Sequence, residues 1–248
     1  MKIGISTAVR TEGENWDRMQ DLLKLGYGHI EFYNKITRIR LSDVDPLKKL
    51  MKMKELSYSF HSMVQDLFCK DKIIERAEYF SLMAEIKIAS AIGCKRIIFH
   101  ISKKENLSAA EKKKLVDLAN FAKKNSIKLC LENNSSSGFF SSDKLPEIIN
   151  SIDNLFFCLD LGHLNIALQK QLVSDFKMFI ERTRNKLEEV HIHYNNGLID
   201  QHKEFSKKGL EFLDKTLVAI SKKDIDLIIE TKNIKQAEKI KTQIQKYV

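Results

Sequence analysis

The sequence predicts an α/β protein, a single (β/α)8 TIM barrel across residues 1–248, on three observations. Eight short apolar runs rich in β-branched or aromatic residues recur along the chain. They are Lys2–Ser6, His29–Tyr33, Leu56–His61, Arg96–His100, Ile127–Glu132, Leu155–Asp160, Glu188–His193 and Asp226–Glu230. Their starts lie about 26 to 40 residues apart, the length of a strand–helix unit. The segments between them carry helical spacing, and the polar residues that matter for chemistry gather at the C-terminal ends of the runs.

The helical spacing is visible in Trp16, Met19, Leu22 and Leu23, and again in Leu115, Leu118, Phe121 and Ala122. Gly26 and Gly93 stand shortly before the next strand, where a helix ends in a left-handed cap. Near-continuous apolar strands such as RIIF and IDLII predict burial on both faces, as in a parallel sheet. Both prolines, Pro46 and Pro146, fall near helix starts. No low-complexity linker divides the chain, and its 248 residues match the roughly 250 of such a barrel. No G-x-G-x-x-G follows the first strand, which argues against an open dinucleotide-binding sheet.

Composition removes several function classes. The four cysteines, Cys69, Cys94, Cys130 and Cys158, have no paired spacing, and three lie in or beside apolar segments. A disulfide framework or zinc finger is therefore not expected, and a reducing compartment is. MKIGIST enters a strand without a signal-peptide core, and no window reaches the ~18 apolar residues of a membrane span. A soluble, cytoplasmic protein with no membrane partner is expected. The net charge of +9 admits a polyanion partner such as DNA. Lysines spread over successive helices favour a solvated outer ring instead.

Six of the seven histidines fall at or just past a strand's C-terminal end: His61, His100, His163, His191, His193 and His202. His29, at a strand start, stands apart. Glu132, Asp160 and Glu230 end strands five, six and eight, and Asp200 lies two residues before His202. In a parallel barrel these ends meet on one rim. Uncompensated carboxylates there would be costly, and His/Asp/Glu sets are typical ligands of divalent ions. The alternation of two puts His191 and His193 on the same side of their strand. Asp160 and Glu132 could instead cap following helices, and His193 could orient a ligand rather than bind metal.

These residues resemble the xylose isomerase-like barrels, which include AP endonuclease family 2 (endonuclease IV) and sugar phosphate isomerase/epimerase-like proteins. The resemblance rests on FHS at His61, IIFHIS at His100, LENNSS at Glu132, CLDLGHLN at Asp160 and His163, HIHYNNGLIDQH, and Glu230. It implies two to three divalent ions, Zn2+ or Mn2+. His61, His100 and Glu132 would hold one. Glu132, Asp160, His191 and Glu230 would hold a second, and His163, Asp200 and His202 a third. The departures point away from the nucleases: Ser62, Met63 and Val64 replace the usual small residue, proline and aromatic after His61, and only Gly209 remains of the glycine-rich stretch after D-x-H. Glu31 matches an acidic residue common in the isomerase-like members.

Two chemistries follow. In the first, a metal-assisted isomerase or epimerase of a small sugar or sugar phosphate moves a proton between Glu132 and Glu230, with His163 orienting a hydroxyl. Glu31, Asn133, His193 and Asn195 would face the substrate, with Asn134 and Asn196 as further donors. Lys103, Lys104 or Arg38 would take a phosphate if they are not simply solvated charges. In the alternative, a trinuclear cluster hydrolyses the DNA backbone at abasic sites. The complete third ligand set favours it; the missing aromatic and the sparse loops oppose it. A metal- or substrate-binding barrel without turnover is the third reading.

Overall fold

The computed structural model describes residues 1–9, 15–101, 106–134, 144–220 and 225–247. Eight parallel strands close into a barrel: β1 (Lys2–Ser6), β2 (His29–Tyr33), β3 (Ser57–His61), β4 (Arg96–Phe99), β5 (Lys128–Glu132), β6 (Leu155–Asp160), β7 (Leu187–Ile192) and β8 (Asp226–Ile229). Each pairs with its sequence neighbour, and β8 closes on β1 through Ile3↔Leu227 and Gly4↔Ile228. Observed strand ends differ from the predicted ones by at most one residue. The largest local departure is a register shift at Phe157/Cys158 opposite β7.

Between the strands lie α1 (Asn15–Lys24), α2 (Asn34–Thr37), α3 (Val44–Lys54), α4 (Lys72–Ile92), α5 (Ala109–Lys124), α6 (Leu145–Asn150), α7 (Leu161–Gln169), α8 (Phe176–Thr183) and α9 (Lys207–Ile220), with α10 (Ile234–Ile244) after β8. Local chemistry sets their ends. Asp71 accepts from the amides of Ile73 and Ile74 at the start of α4, and Gly93 ends that helix at φ 98°. Ser108 and Glu111 form a reciprocal capping box on α5. Asn233 caps α10. Gly26 is also left-handed, at φ 68°. No helix among the described residues is long and apolar enough to cross a membrane.

The two-residue alternation of the strands sorts the core into two parts. Outward-facing Ile5, Ile30, Phe32, Phe60, Phe99, Leu131, Phe157 and Val190 join helix residues such as Met19, Leu22, Leu115, Leu118 and Ala122 in one continuous cluster. Each fully buried side chain of this kind stabilises the fold by roughly 1.5–3 kcal/mol. Inside the barrel, Ile98, Cys130 and Cys158 form a separate small cluster against Phe156. At mid-depth the inner wall is thus apolar along β4–β6, whereas buried Ser6, His29, Glu31, Ser59, His61, Glu189 and His191 make it polar along β1, β2, β3 and β7. Cys94, Cys130 and Cys158 are buried and all four cysteines are free thiols, as expected.

Candidate metal centre

Strand parity delivers the rim residues. His61, Glu132 and Asp160 are the last residues of β3, β5 and β6, His191 is the penultimate residue of β7, and His100, His193 and Glu230 lie one step beyond their strands. α7 begins directly after Asp160 and carries His163 in its first turn. The connection after β7 folds back through paired backbone hydrogen bonds between Tyr194 and Lys203 (2.8 and 2.9 Å). Asp200 and His202 therefore lie over the mouth, where His202 holds a left-handed backbone (φ 50°).

Glu132 is the hub. Its Oε2 lies 3.1 Å from His61 Nε2 and 3.2 Å from His100 Nε2. Its Oε1 is 3.4 Å from both His163 Nδ1 and His191 Nδ1. Across the mouth, Glu230 Oε2 is 3.6 Å from that same His191 Nδ1. A second focus is Asp200 Oδ2, 2.9 Å from His202 Nε2 and 3.3 Å from His163 Nε2. Donor atoms within 4.8 Å of one another occur in the sets His61/His100/Glu132, His61/His191/Glu230, Asp160/His163/His193 and His193/Asp200/His202. Of these residues, His61, His100, Glu132, His163, Asp200, His202 and Glu230 line a cavity of about 430 Å³.

Do these residues fit divalent ions? His191 Nδ1 and His193 Nδ1 are buried nitrogens without a hydrogen-bond partner; the first lies 3.4 Å from Glu132 Oε1 and 3.6 Å from Glu230 Oε2, the second 3.8 Å from Asp200 Oδ1. Buried polar atoms are rarely left unpaired, because the lost hydration goes unreplaced. A shared cation would satisfy both. The donor set, imidazoles and carboxylates, matches zinc or manganese chemistry. The residues fit.

Electrostatics tell the same story from the side of the protons. Burial opposes charge on His61, but the Glu132 hydrogen bond and the charges of Glu31, Glu132 and Glu230 outweigh it and lift the ring to about 9. Burial is likewise overcome for His163, lifted to about 10 chiefly by Asp160 and Asp200, and for His202, lifted to about 9 by Asp200 and Glu230. For His100 burial prevails and the ring drops to about 4. Burial, with Glu31 and Glu132 nearby, pushes the Glu230 carboxyl up to about 7, though His191 and His61 pull against it. Glu132 goes the other way: it is buried, yet the surrounding imidazoles hold it well below the usual carboxylate range. Without metal, protons take the place of cations as the countercharge.

The sequence profile of the xylose isomerase-like TIM barrel matches residues 19–247. The chain belongs to that family. An uncharacterised protein of Methanocaldococcus jannaschii is 25% identical over 224 residues, covering 86% of this chain and 85% of its own. Among solved structures, a D-tagatose 3-epimerase-like protein superposes with a TM-score of 0.83 at 22% identity, covering 100% of this chain and 97% of that one. The IolI protein with a bound zinc atom superposes at 0.79 with 15% identity, covering 100% and 98%.

In this xylose isomerase-like barrel four of the expected substrate contacts lie elsewhere than the mouth. His193 is fully buried, with its Nε2 2.9 Å from Asp160 Oδ2 and its ring stacked 3.9 Å from that of His202. It stands instead among the side chains that could hold a metal ion. Its ring occupies the space above Gly162, where a Cβ would come within 1.9 Å of His193 Cε1, so the glycine of DLGHLN is a steric requirement. Glu31 is also fully buried and meets His191 Nε2 at 3.0 Å, which makes it a partner of that ring. Asn133 spends its amide on the backbone of Asp160, donating to its oxygen (2.9 Å) and accepting from its nitrogen (2.8 Å). Asn195 donates to Gly162 O and accepts from the Gly197 amide. These four side chains are engaged inside the protein; the asparagine lining the mouth is Asn134.

Asp160 is also regrouped. One oxygen caps α7 by accepting from the His163 amide (2.6 Å), and the other meets His193 Nε2 (2.9 Å) rather than His191 or Glu230. The capping alternative and the ligand alternative thus use different oxygens of one carboxylate. Arg38 is exposed at the left-handed end of α2. Lys103 and Lys104 lie outside the described residues. The sequence reading passed over Tyr33, which lines the mouth edge-on to His61 (centroids 4.8 Å, 88°). Its signal was available: Tyr33 shares the inward parity of Glu31.

Proposed function

We propose that this chain is a metal-dependent isomerase or epimerase of a small sugar or sugar phosphate. One observation carries the reading. Two carboxylates in different protonation environments, Glu132 and Glu230, face each other across His191 Nδ1 (3.4 and 3.6 Å) inside a mouth of about 430 Å³. A pair of titratable groups pushed apart in this way is the arrangement of an acid/base couple. Glu132, kept ionised, takes the proton from the carbon beside the carbonyl; Glu230 supplies one to the opposite face or the neighbouring carbon. His163, with its ring between Glu132 and Asp200, orients a substrate hydroxyl. Ions held by the His61/His100/Glu132 and His191/Glu230 groups would polarise the carbonyl as Lewis acids.

The mouth volume and the likeness to a D-tagatose 3-epimerase-like protein support a monosaccharide-sized substrate. Among the described residues, Lys232 is the lysine or arginine lining the mouth. That favours a small molecule over a duplex, which needs many phosphate contacts. The hydrolytic reading keeps one specific observation, the third donor focus at Asp200 with His163 and His202. The deciding experiment incubates the zinc- or manganese-loaded protein in D2O with a panel of ketoses and their phosphates. Deuterium should enter at carbon beside the carbonyl and should be lost in Glu230→Gln. No exchange with any member, together with nicking of an abasic-site duplex that Glu132→Gln abolishes, would move the assignment to the nuclease.

A further inference from the structure

Beneath the rim, half of the barrel's interior is charged. Arg96 at the start of β4 donates from Nε to Glu189 Oε2 (2.6 Å) and from Nη2 to Asp226 Oδ2 at the start of β8. Ser59 Oγ donates to Glu189 Oε1 (3.1 Å) and lies 2.9 Å from His29 Nε2. His29 Nδ1 reaches Ser57 Oγ at 3.0 Å and Asp226 Oδ2 at 3.3 Å. Even the backbone accommodates this set: a Cβ on Gly4 would come within 2.9 Å of His29 Cβ and 2.5 Å of Ile228 Cδ1.

Filling a barrel does not demand any of this. The β4–β6 side of the same interior is closed with Ile98, Cys130 and Cys158. Buried ion pairs generally stabilise no more than apolar residues of similar volume, because removing each charge from water is costly. The charged half lies where it can serve the rim. His191 Nε2 faces two carboxylates, Glu31 Oε2 at 3.0 Å and Glu189 Oε1 at 3.5 Å, and all three residues are fully buried. With Nε2 engaged from below, Nδ1 is left without a hydrogen-bond partner and aimed between Glu132 and Glu230.

We infer that Glu189, clamped by Arg96 and Ser59 and acting with Glu31, is a positioning residue for the metal centre. It keeps the Nε2–H of His191 pointing down, so that the Nδ1 lone pair is presented to a cation shared with Glu132 and Glu230. Partners of this kind fix the tautomer and orientation of a ligating imidazole, and their loss typically weakens metal affinity by 10–100-fold. Arg96 acts one step further back by holding Glu189 in place and neutralising it. The inference rests on the metal-dependent reading above, but it concerns metal affinity and needs no substrate.

The test titrates zinc or cobalt into metal-stripped protein against a chromophoric chelator and follows the melting temperature with and without metal. Glu189→Gln and Glu31→Gln should each bind 10–100-fold more weakly, and the metal-induced gain in melting temperature should shrink. A merely structural Glu189 would lower the melting temperature of both forms equally and leave affinity unchanged, which overturns the inference. If Glu189→Gln fails to fold, the uncharged set Arg96→Met, Glu189→Leu, Asp226→Asn replaces it. That set should keep the fold and lose the affinity; wild-type affinity in it overturns the inference equally. Wild-type protein that binds neither metal would overturn this inference and the metal-dependent reading together, whereas binding without sugar turnover would leave only the latter in question.

Discussion

Glu132→Gln is expected to lower the bound metal by at least one ion per chain and to slow proton exchange by about 10²–10⁴-fold, with the barrel intact. The carboxylate has four imidazoles within 3.4 Å, more than any other rim group among the described residues. An amide of the same shape offers one neutral oxygen in place of a charge shared by both oxygens, so two sets of imidazoles lose their common anion. The fold should survive because the side chain sits at a strand end inside the mouth, while outward-facing Leu129 and Leu131 hold the strand in the core. Elemental analysis, the D2O exchange rate and circular dichroism read the three parts separately. Full metal content with undiminished exchange would remove Glu132 from both of its assigned roles.

The second large effect concerns pH. In metal-free protein His61, His163 and His202 sit at about 9, 10 and 9, above the ~6.5 of an unfolded chain. A group whose folded pKa is raised contributes stability in its protonated form. That contribution is complete below pH ~6.5 and disappears as pH rises through 9 to 10. Glu230, raised to about 7, has the same sign: its contribution fades between pH ~4.5 and 7. Glu132, Asp160 and Asp200, all held below the usual carboxylate range, contribute above the unfolded carboxylate pKa and lose that contribution as pH falls further into acid. The metal-free barrel should therefore be most stable in mildly acidic solution.

Metal reverses the alkaline half of this profile. A divalent ion replaces the protons, so apparent affinity falls as pH drops below the raised imidazole values. At pH 8.5, zinc at a thousand times Kd should stabilise by about 4 kcal/mol, roughly 8–16 °C for a chain of this size. At pH 6 the gain should be several-fold smaller. Melting curves at the two pH values, with chelator and with zinc, check this. A gain equal at both would mean that the imidazoles are not the groups that bind.

Strand parity and strand-end chemistry were legible because both follow from a period of two and a shared barrel rim. His61, His100, Glu132, His163, His191, Asp200, His202 and Glu230 converge as their spacing implied. What parity cannot rank is depth within the barrel. His193 and Glu31 have the correct side but lie buried in the donor cluster and beneath His191, and only the absence of a side chain on Gly162 makes room for the former. Asn133 and Asn195 were misread for another reason. Their partners are backbone groups of Asp160, Gly162 and Gly197, left open where strands end, and no spacing in the sequence announces them. Arg96 and Glu189 carried a readable signal, since each shares inward parity with a rim histidine, His100 and His191. A buried charge below an active rim is rare enough that apolar filling is the ordinary expectation.

In the proposed metal-dependent enzyme, cations are the common countercharge of the rim. The most direct measurement is X-ray anomalous scattering from crystals of zinc- or manganese-loaded protein, with elemental analysis of the same sample. Two or three peaks per chain are expected, the first within bonding distance of His61, His100 and Glu132 and another beside His191 and Glu230. No anomalous peak within the mouth, in protein that still catalyses proton exchange after chelation, would contradict it.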